Sequence, residues 1–168
     1  IGDFTNNVEK YYAENLTIPY GENVVYVNTT PTSKYNSWMF VTFPSIFNIS
    51  HKGLNDFISP KWGKYYKRSF AHEIAHYYFG TYKIFNSGLV DVMSEGFAEY
   101  LSMKAVNQLL GKEIYDEFID KKLKMLEEFK PNSFSKIKNS EDYKNRELYS
   151  YMYGPLIYEA IEREVGIK

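Results

Sequence analysis

Residues 59–80 read SPKWGKYYKRSFAHEIAHYYFG, and they decide how the rest of the chain is interpreted. Ser59 is a favourable helix cap and Pro60 suits the first helical turn, so a helix is expected to begin here. Apolar side chains then recur at helical spacing, at Trp62, Tyr66, Phe70, Ile74 and Tyr77. The pattern runs as far as Gly80, and it predicts one long helix with an apolar side.

His72 and His76 lie four residues apart in this helix, within the run His-Glu-Ile-Ala-His. Positions four apart sit one above the other, so both imidazoles can reach a single metal ion. Glu73 is rotated by about a quarter turn from His72 and can accept a proton from water on that metal. Both histidines lie nearly opposite the apolar side. The motif predicts a metal site, although three fixed letters in five also arise by chance.

A catalytic zinc ion needs three protein ligands and one open position. Glu95 follows His76 with 18 residues between them, and a turn at residues 86–88 would let the next helix fold back beside the first. Glu95 and Glu99 are again four apart. Two carboxylates facing a histidine pair are costly unless a cation or hydrogen-bond donors compensate them. We therefore predict Glu95 as the third ligand.

The combined pattern resembles the gluzincin metallopeptidases and is closest to the aminopeptidase N-like family. Members carry His-Glu-x-x-His-x-x-Phe-Gly, matched here by residues 72–80, and then Glu-Gly-Phe-Ala, matched by residues 95–98. A third cluster, at residues 151–166, looks like the family's element in which a tyrosine precedes a glycine and a helix that ends in glycine. The resemblance spans roughly residues 68–166.

This resemblance implies an α+β fold like the thermolysin-like catalytic domains, with a small N-terminal β-sheet region followed by a mostly helical half. It implies that residues 1–168 form a single zinc metallopeptidase catalytic domain. The first residue is Ile1 rather than Met, so we expect a fragment of a longer protein, with flanking domains in the parent.

The resemblance also implies the chemistry of the site. Zn²⁺ would have three ligands: His72, His76 and Glu95. Glu73 would be the general base, and Tyr151 would donate to the tetrahedral oxyanion. Glu99 would orient a zinc histidine from behind, or alternatively would form a surface salt bridge with a lysine.

One departure concerns the substrate. Aminopeptidases of this family carry Gly-Ala-Met-Glu-Asn on an upstream strand, and its glutamate binds the free amino group of the substrate. The corresponding residues 35–43 contain no carboxylate, and Ser94 stands where the family usually has Asn. We expect a peptide or protein substrate, with endo- or exo-cleavage left open. The alternatives are a peptidase-like binding or scaffold module, a hydrolase of non-peptide substrates, and a structural helical domain.

Outside these motifs the pattern of apolar residues predicts further elements. The expected strands are at residues 24–28 and 38–43, and a polar turn is expected between them at residues 31–36. The expected helices are at residues 4–14, 91–110 and 112–130, with one more after Pro155. The last helix is expected to bury Ile157, Ile161 and Val165. Residues 131–146 are predicted to be a solvated connection, the charge run at 121–128 a solvated helix face, and His51 a surface residue.

Composition excludes several classes of protein. Twenty basic residues against 21 acidic ones give a net charge of -1, without the basic surplus of a nucleic-acid binder. The chain has no cysteine, which rules out disulfides, thiolate ligands and a cysteine nucleophile. The apolar stretch at residues 38–49 is too short and too polar to span a bilayer. No signal sequence is recognisable, so the localisation stays unknown.

Overall fold

A computed structural model of the chain describes residues 1–21, 23–29, 39–42, 45–80 and 83–166. These residues contain six α-helices: α1 (Gly2–Leu16), α2 (His51–Phe57), α3 (Gly63–Ala75), α4 (Val90–Leu110), α5 (Lys112–Leu126) and α6 (Gly154–Val165). They also contain three strands: β1 (Val25–Thr29), β2 (Met39–Thr42) and β3 (Ile46–Ser50). The predicted class, α+β with a small sheet near the N-terminus and a mostly helical remainder, is confirmed.

The sheet has β3 at its centre, in the order β1-β3-β2. β1 runs parallel to β3, and β2 runs antiparallel to it, with Val41 opposite Phe47. Phe47 is fully buried and stacks on Phe70 of α3, which fastens the sheet to that helix. Among the described residues β2 pairs on one side only, so its other edge is open towards α3.

The sequence did not predict β3 as a separate strand, nor the short helix α2 that follows it. Ser50 ends the strand and caps α2, because its hydroxyl accepts a hydrogen bond from Gly53 N at 3.0 Å. The predicted strand at 38–43 is confirmed over Met39–Thr42; its two end residues and the predicted turn at 31–36 lie outside the described residues. His51 begins α2, but its side chain also lies outside them.

Helix α3 is shorter than predicted at both ends. Ser59 accepts a hydrogen bond from Trp62 N at 3.3 Å, but the helix begins only at Gly63. A Cβ atom on Gly63 would lie 2.8 Å from the carbonyl oxygen of Phe57, so α2 and α3 can meet this closely only at a glycine. The helix ends at Ala75, and His76 is its C-cap. The predicted end at Gly80 is therefore wrong by five residues.

Helix α4 lies at the centre of the helical part and is buried nearly all round. It packs against α3, α5, α6 and the segment before α6, and α1 also contacts it. Leu101 is buried, but Met93 and Phe97 are only half-buried, so the single apolar face predicted for this helix is an incomplete description. Its fully buried polar residues, Glu99 and Ser102, lie in this crowded interior.

Most of residues 131–146 are exposed, as the sequence predicted for a solvated connection, but part of the segment between α5 and α6 packs on the fold. Two short 3₁₀ turns, Phe134–Lys136 and Ser140–Asp142, lead to a π-helical segment, Leu148–Tyr153. Ile137 and Tyr143 are buried, and the Tyr143 hydroxyl donates to Gly88 O at 3.0 Å. The segment therefore covers the start of α4.

Two further expectations about the C-terminal helices are wrong. Helix α5 ends at Leu126 rather than near residue 130. Helix α6 buries Pro155 and Glu159, while Ile161 is exposed and Val165 is 74% exposed. The apolar residues of α6 do not all face the core, because its inner side is determined by the contact with α4 and the π-helical segment. None of the helices in the described part of the chain has both the length and the apolar composition needed to cross a membrane.

Candidate metal centre

The three predicted ligands converge on one point. The Nε2 atoms of His72 and His76 are 3.1 Å apart, and Glu95 Oε2 lies 3.2 Å from the first and 3.3 Å from the second. Tetrahedral zinc with bonds of about 2.0–2.1 Å places neighbouring ligand atoms about 3.3 Å apart. The triangle formed by these atoms therefore has the size of one face of such a tetrahedron.

The end of α3 and the loop after it hold this triangle in place. His76 follows the last helical residue, and its Nδ1 lies 2.9 Å from Phe79 O. Gly80 has a φ of +122°, and a Cβ atom there would lie 2.7 Å from Ser94 Oγ. Only glycine therefore allows the chain to turn here while it packs between His76 and α4.

The hydrogen bonds behind the histidines determine which nitrogen of each ring carries the proton. His72 Nδ1 lies 3.0 Å from Glu99 Oε2, and His76 Nδ1 lies 2.9 Å from Phe79 O. A carboxylate and a carbonyl oxygen can only accept, so each Nδ1 is the donor. In neutral rings both Nε2 atoms then present lone pairs to each other and to the Glu95 carboxylate. Such a group of acceptors needs a cation between them.

Without a metal, a proton supplies part of that positive charge. Burial by itself lowers the pKa of His72, but hydrogen bonds to Glu95 and Glu99 outweigh it and raise the pKa to about 9. Burial by itself raises the pKa of Glu95, but hydrogen bonds from His72 and His76 hold it well below its usual range. Both shifts indicate a site that attracts positive charge.

Glu99 lies beneath the triangle and is fully buried. Besides His72 Nδ1, its carboxylate contacts Arg68 and the Lys122 ammonium, with Lys122 Nζ at 2.5 Å from Oε1. Burial raises the pKa of Glu99, but the charges of Arg68 and Lys122 hold it well below the usual range. The alternative of a surface salt bridge is wrong, because the lysine that pairs with Glu99 is itself buried. The contact with His72 is the one expected of a residue that orients a ligand.

Tyr151 lies on the π-helical segment, on the same side of the site as Glu95. Its hydroxyl donates to Glu95 Oε2 at 2.9 Å, and its ring lies 5.8 Å from that of His72. Lys122 Nζ donates to the main-chain oxygen of Tyr151 at 2.6 Å. Burial and the nearby Glu95 charge raise the pKa of the Tyr151 hydroxyl, so it stays protonated and able to donate.

Glu73 faces the open edge of the sheet. Its Oε2 accepts a hydrogen bond from Val41 N of β2 at 3.1 Å. Burial raises the pKa of Glu73, although the nearby His72 and His76 partly offset this effect. Glu73, the metal triangle and Tyr151 line one cleft of about 490 Å³ between β2, α3 and α4. All the residues predicted for catalysis and metal binding thus meet here, with Glu99 forming part of the wall.

The sequence analysis missed Arg68 and Lys122, which both contact Glu99. Lys122 belongs to the charge run interpreted as a solvated face, yet it is only 4% exposed. A signal was present, since Lys122 follows the buried Tyr115 and Phe118 at helical spacing. Arg68 precedes His72 by four residues and so lies on the same side of α3.

Comparisons with known proteins do not assign the chain to a family. No protein-family model matches the sequence, and no curated protein matches it significantly. What defines the class of site is its geometry: a group of His72, His76 and Glu95 that could hold a metal ion, with candidate ligand atoms all within 4.8 Å of one another.

Proposed function

We propose that this chain is a zinc-dependent peptidase with a thermolysin-like, gluzincin-type site. The proposal depends on one observation: His72 Nε2, His76 Nε2 and Glu95 Oε2 lie 3.1–3.3 Å from one another. The Nδ1 atom of each histidine donates to Glu99 or to Phe79 O, which leaves Nε2 free to bind a metal. Bound Zn²⁺ would polarise a peptide carbonyl and lower the pKa of coordinated water to about 7. Two histidines and one carboxylate are a common ligand set for catalytic zinc.

Two side chains beside the triangle support a role in hydrolysis. The Glu73 carboxylate would take a proton from the attacking water and later transfer it to the leaving amine. The Tyr151 hydroxyl, 2.9 Å from Glu95 Oε2, is close enough to the triangle to donate to an oxyanion formed there.

Among the described residues β2 pairs with β3 alone, and this supports a peptide as the substrate. Val41 is opposite Phe47 of β3, but its own N–H points away from β3, to Glu73 in the cleft. An extended peptide can add to such an edge through main-chain hydrogen bonds, which would bring a peptide bond close to the metal triangle. The lining of the cleft by Met39, Phe40 and Val41 is consistent with this arrangement.

A peptidase-like binding module without activity is the second candidate. It is favoured by the hydrogen bond between Glu73 Oε2 and Val41 N, which occupies one oxygen of the general base. The described residues of β2, Met39–Thr42, also carry no carboxylate that could bind a free amino group. In this case peptides would bind in the cleft without being cleaved.

The first test is the metal content of the purified chain. We expect about one zinc per chain by mass spectrometry, because three preorganised ligands should bind zinc tightly. His72→Ala should lose the metal, since it removes one ligand and leaves Glu99 without its imidazole partner. His51→Ala is the matched control and should keep it. Absence of zinc from the wild-type chain, even after incubation with zinc, would contradict the proposed site.

Tyr151→Phe tests the oxyanion donor separately from metal binding. We expect kcat to fall about 100-fold, the cost of removing one such donor, while zinc content and melting temperature change little. Tyr153→Phe is the matched control on the same segment and should keep its activity. Steady-state rates on a cleaved peptide provide the measurement, and a kcat within threefold of wild type would remove Tyr151 from the mechanism.

A further inference from the structure

Two basic side chains share one buried carboxylate beside the cleft. Lys122 Nζ is 2.5 Å from Glu99 Oε1 and 2.6 Å from Tyr151 O, and Arg68 contacts the same Glu99 oxygen. Two cations against one anion leave one positive charge in excess. Lys122 is only 4% exposed, whereas the Arg68 side chain is 25% exposed and lines the cleft. The excess charge is therefore presented to the cleft by Arg68.

The rest of the cleft does not neutralise this charge. Among the described residues that line it, Arg68 is the sole lysine or arginine. The carboxylates of Glu73 and Glu95 lie at the metal triangle, where a divalent ion would balance them. Within the described part of the chain, Arg68 Nε–H is buried and has no hydrogen-bond acceptor, so it is not the group that faces the cleft. The contact with Glu99 uses Nη1, and a guanidinium has five N–H donors, so the 25% exposed side chain keeps donors for a ligand.

The distance between Arg68 and His72 indicates which part of a bound peptide Arg68 could contact. It lies one helical turn before His72, which corresponds to about 6 Å along α3. An extended peptide advances by about 3.3 Å per residue, so a group opposite Arg68 would be about two residues from the bond held at His72. The neighbouring lining residue, Ser69, has its hydroxyl bonded to Tyr65 O at 3.1 Å, so it does not compete for such a group.

We propose, on the basis of the peptidase function proposed above, that Arg68 binds a carboxylate of the substrate about two residues from the scissile bond. A guanidinium donates charge-assisted hydrogen bonds to carboxylates, and an uncharged amide in the same place would form weaker ones. The carboxylate could come from an acidic side chain or from the C-terminus of the peptide. An acidic side chain would make the cleft select acidic substrates, whereas a C-terminal carboxylate would place cleavage about two residues from the end of the peptide.

Peptide binding to the Glu73→Gln variant separates these sources without turnover. One series consists of end-blocked alanine-based hexapeptides in which a single Glu moves along the chain, each paired with its Gln counterpart. A second pair compares a free C-terminal carboxylate with a C-terminal amide. Calorimetry on the zinc-loaded and the zinc-free chain is expected to give a Kd about tenfold lower for the acidic member of one pair. The pair that shows the difference identifies the source.

Variants at residue 68 assign the preference to Arg68. Combined with Glu73→Gln, Arg68→Gln should bring the affinity ratio of the acidic and neutral peptides to about one, and Arg68→Lys should restore part of it. Lys67→Gln is the matched control, because Lys67 faces a different cavity, and it should keep the ratio. Melting curves and zinc content verify that the variants are folded and loaded.

The outcomes distinguish this inference from the proposed function. Three outcomes would each overturn the role of Arg68. The first is equal affinity within every peptide pair, and the second is failure of all acidic peptides to bind at roughly millimolar concentration. The third is a preference for the acidic peptide that persists in Arg68→Gln. Cleavage of neutral peptides by the wild-type chain would leave the peptidase proposal standing in those cases. Conversely, acidic peptides that bind through Arg68 but are never cleaved would support the inference and contradict peptide hydrolysis.

Discussion

Glu73→Gln is expected to keep zinc and to lower kcat for peptide hydrolysis by about 10²–10⁴-fold, the usual contribution of a general base. Glutamine has nearly the same shape, and its amide oxygen can still accept the hydrogen bond from Val41 N. The variant should therefore fold normally. What it loses is a group that can take a proton from water and release it to the leaving amine.

The measurement is the initial rate of cleavage of a peptide library, followed by mass spectrometry, together with zinc content. Glu128→Gln is the matched control, since Glu128 lies in the turn after α5 and is exposed. A Glu73→Gln variant that retains more than a tenth of the wild-type rate would remove Glu73 as the base. If the wild-type chain binds library peptides and cleaves none, the binding-module candidate is favoured instead.

Lys122→Met is expected to lower the free energy of unfolding by about 3 kcal/mol. The substitution keeps the length and much of the volume of the side chain, but it removes the ammonium that contacts Glu99 and Tyr151 O. Breaking one side of a buried ion pair leaves a buried charge with less compensation, and this usually costs about 3–5 kcal/mol. We expect the lower end of that range because Arg68 still contacts Glu99.

Urea unfolding in the presence of a chelator measures this change without a contribution from bound metal. Lys121→Met, at the exposed neighbouring position, should change stability by less than about 0.5 kcal/mol. A loss below about 1 kcal/mol in Lys122→Met would mean that water reaches Glu99 and that the pair is not structurally important.

The part of the site that the sequence predicted depends on local geometry. His72 and His76 are neighbours in any helix that contains them, because four residues make about one turn. Adding Glu95 required only that the next helix return alongside the first. The contacts of Glu99, by contrast, depend on three elements that meet in the core. The sequence therefore could not decide whether Glu99 orients a histidine or forms a salt bridge on the surface.

Features that depend on tertiary packing could not be predicted in the same way. A lysine in a run with other charges is usually solvated, and Lys122 is buried only because α4 and the π-helical segment cover that side of α5. Val165 continues the apolar spacing of α6, yet α6 extends past the elements it packs on, so the residue is exposed. The strand β3 was missed because Ile46–Ser50 is short and directly followed by α2, without a separate turn signal.

His76 ends α3 and Glu95 lies in α4, so an ion held by both would join two parts of the chain that are separated by 18 residues. Such an ion acts as a removable cross-link. Closing a loop of this length restricts the unfolded chain by about 3 kcal/mol in the chain-entropy description. The free energy of unfolding would then increase with metal occupancy. A chelator would destabilise the whole fold, as a reducing agent destabilises a protein held by a disulfide.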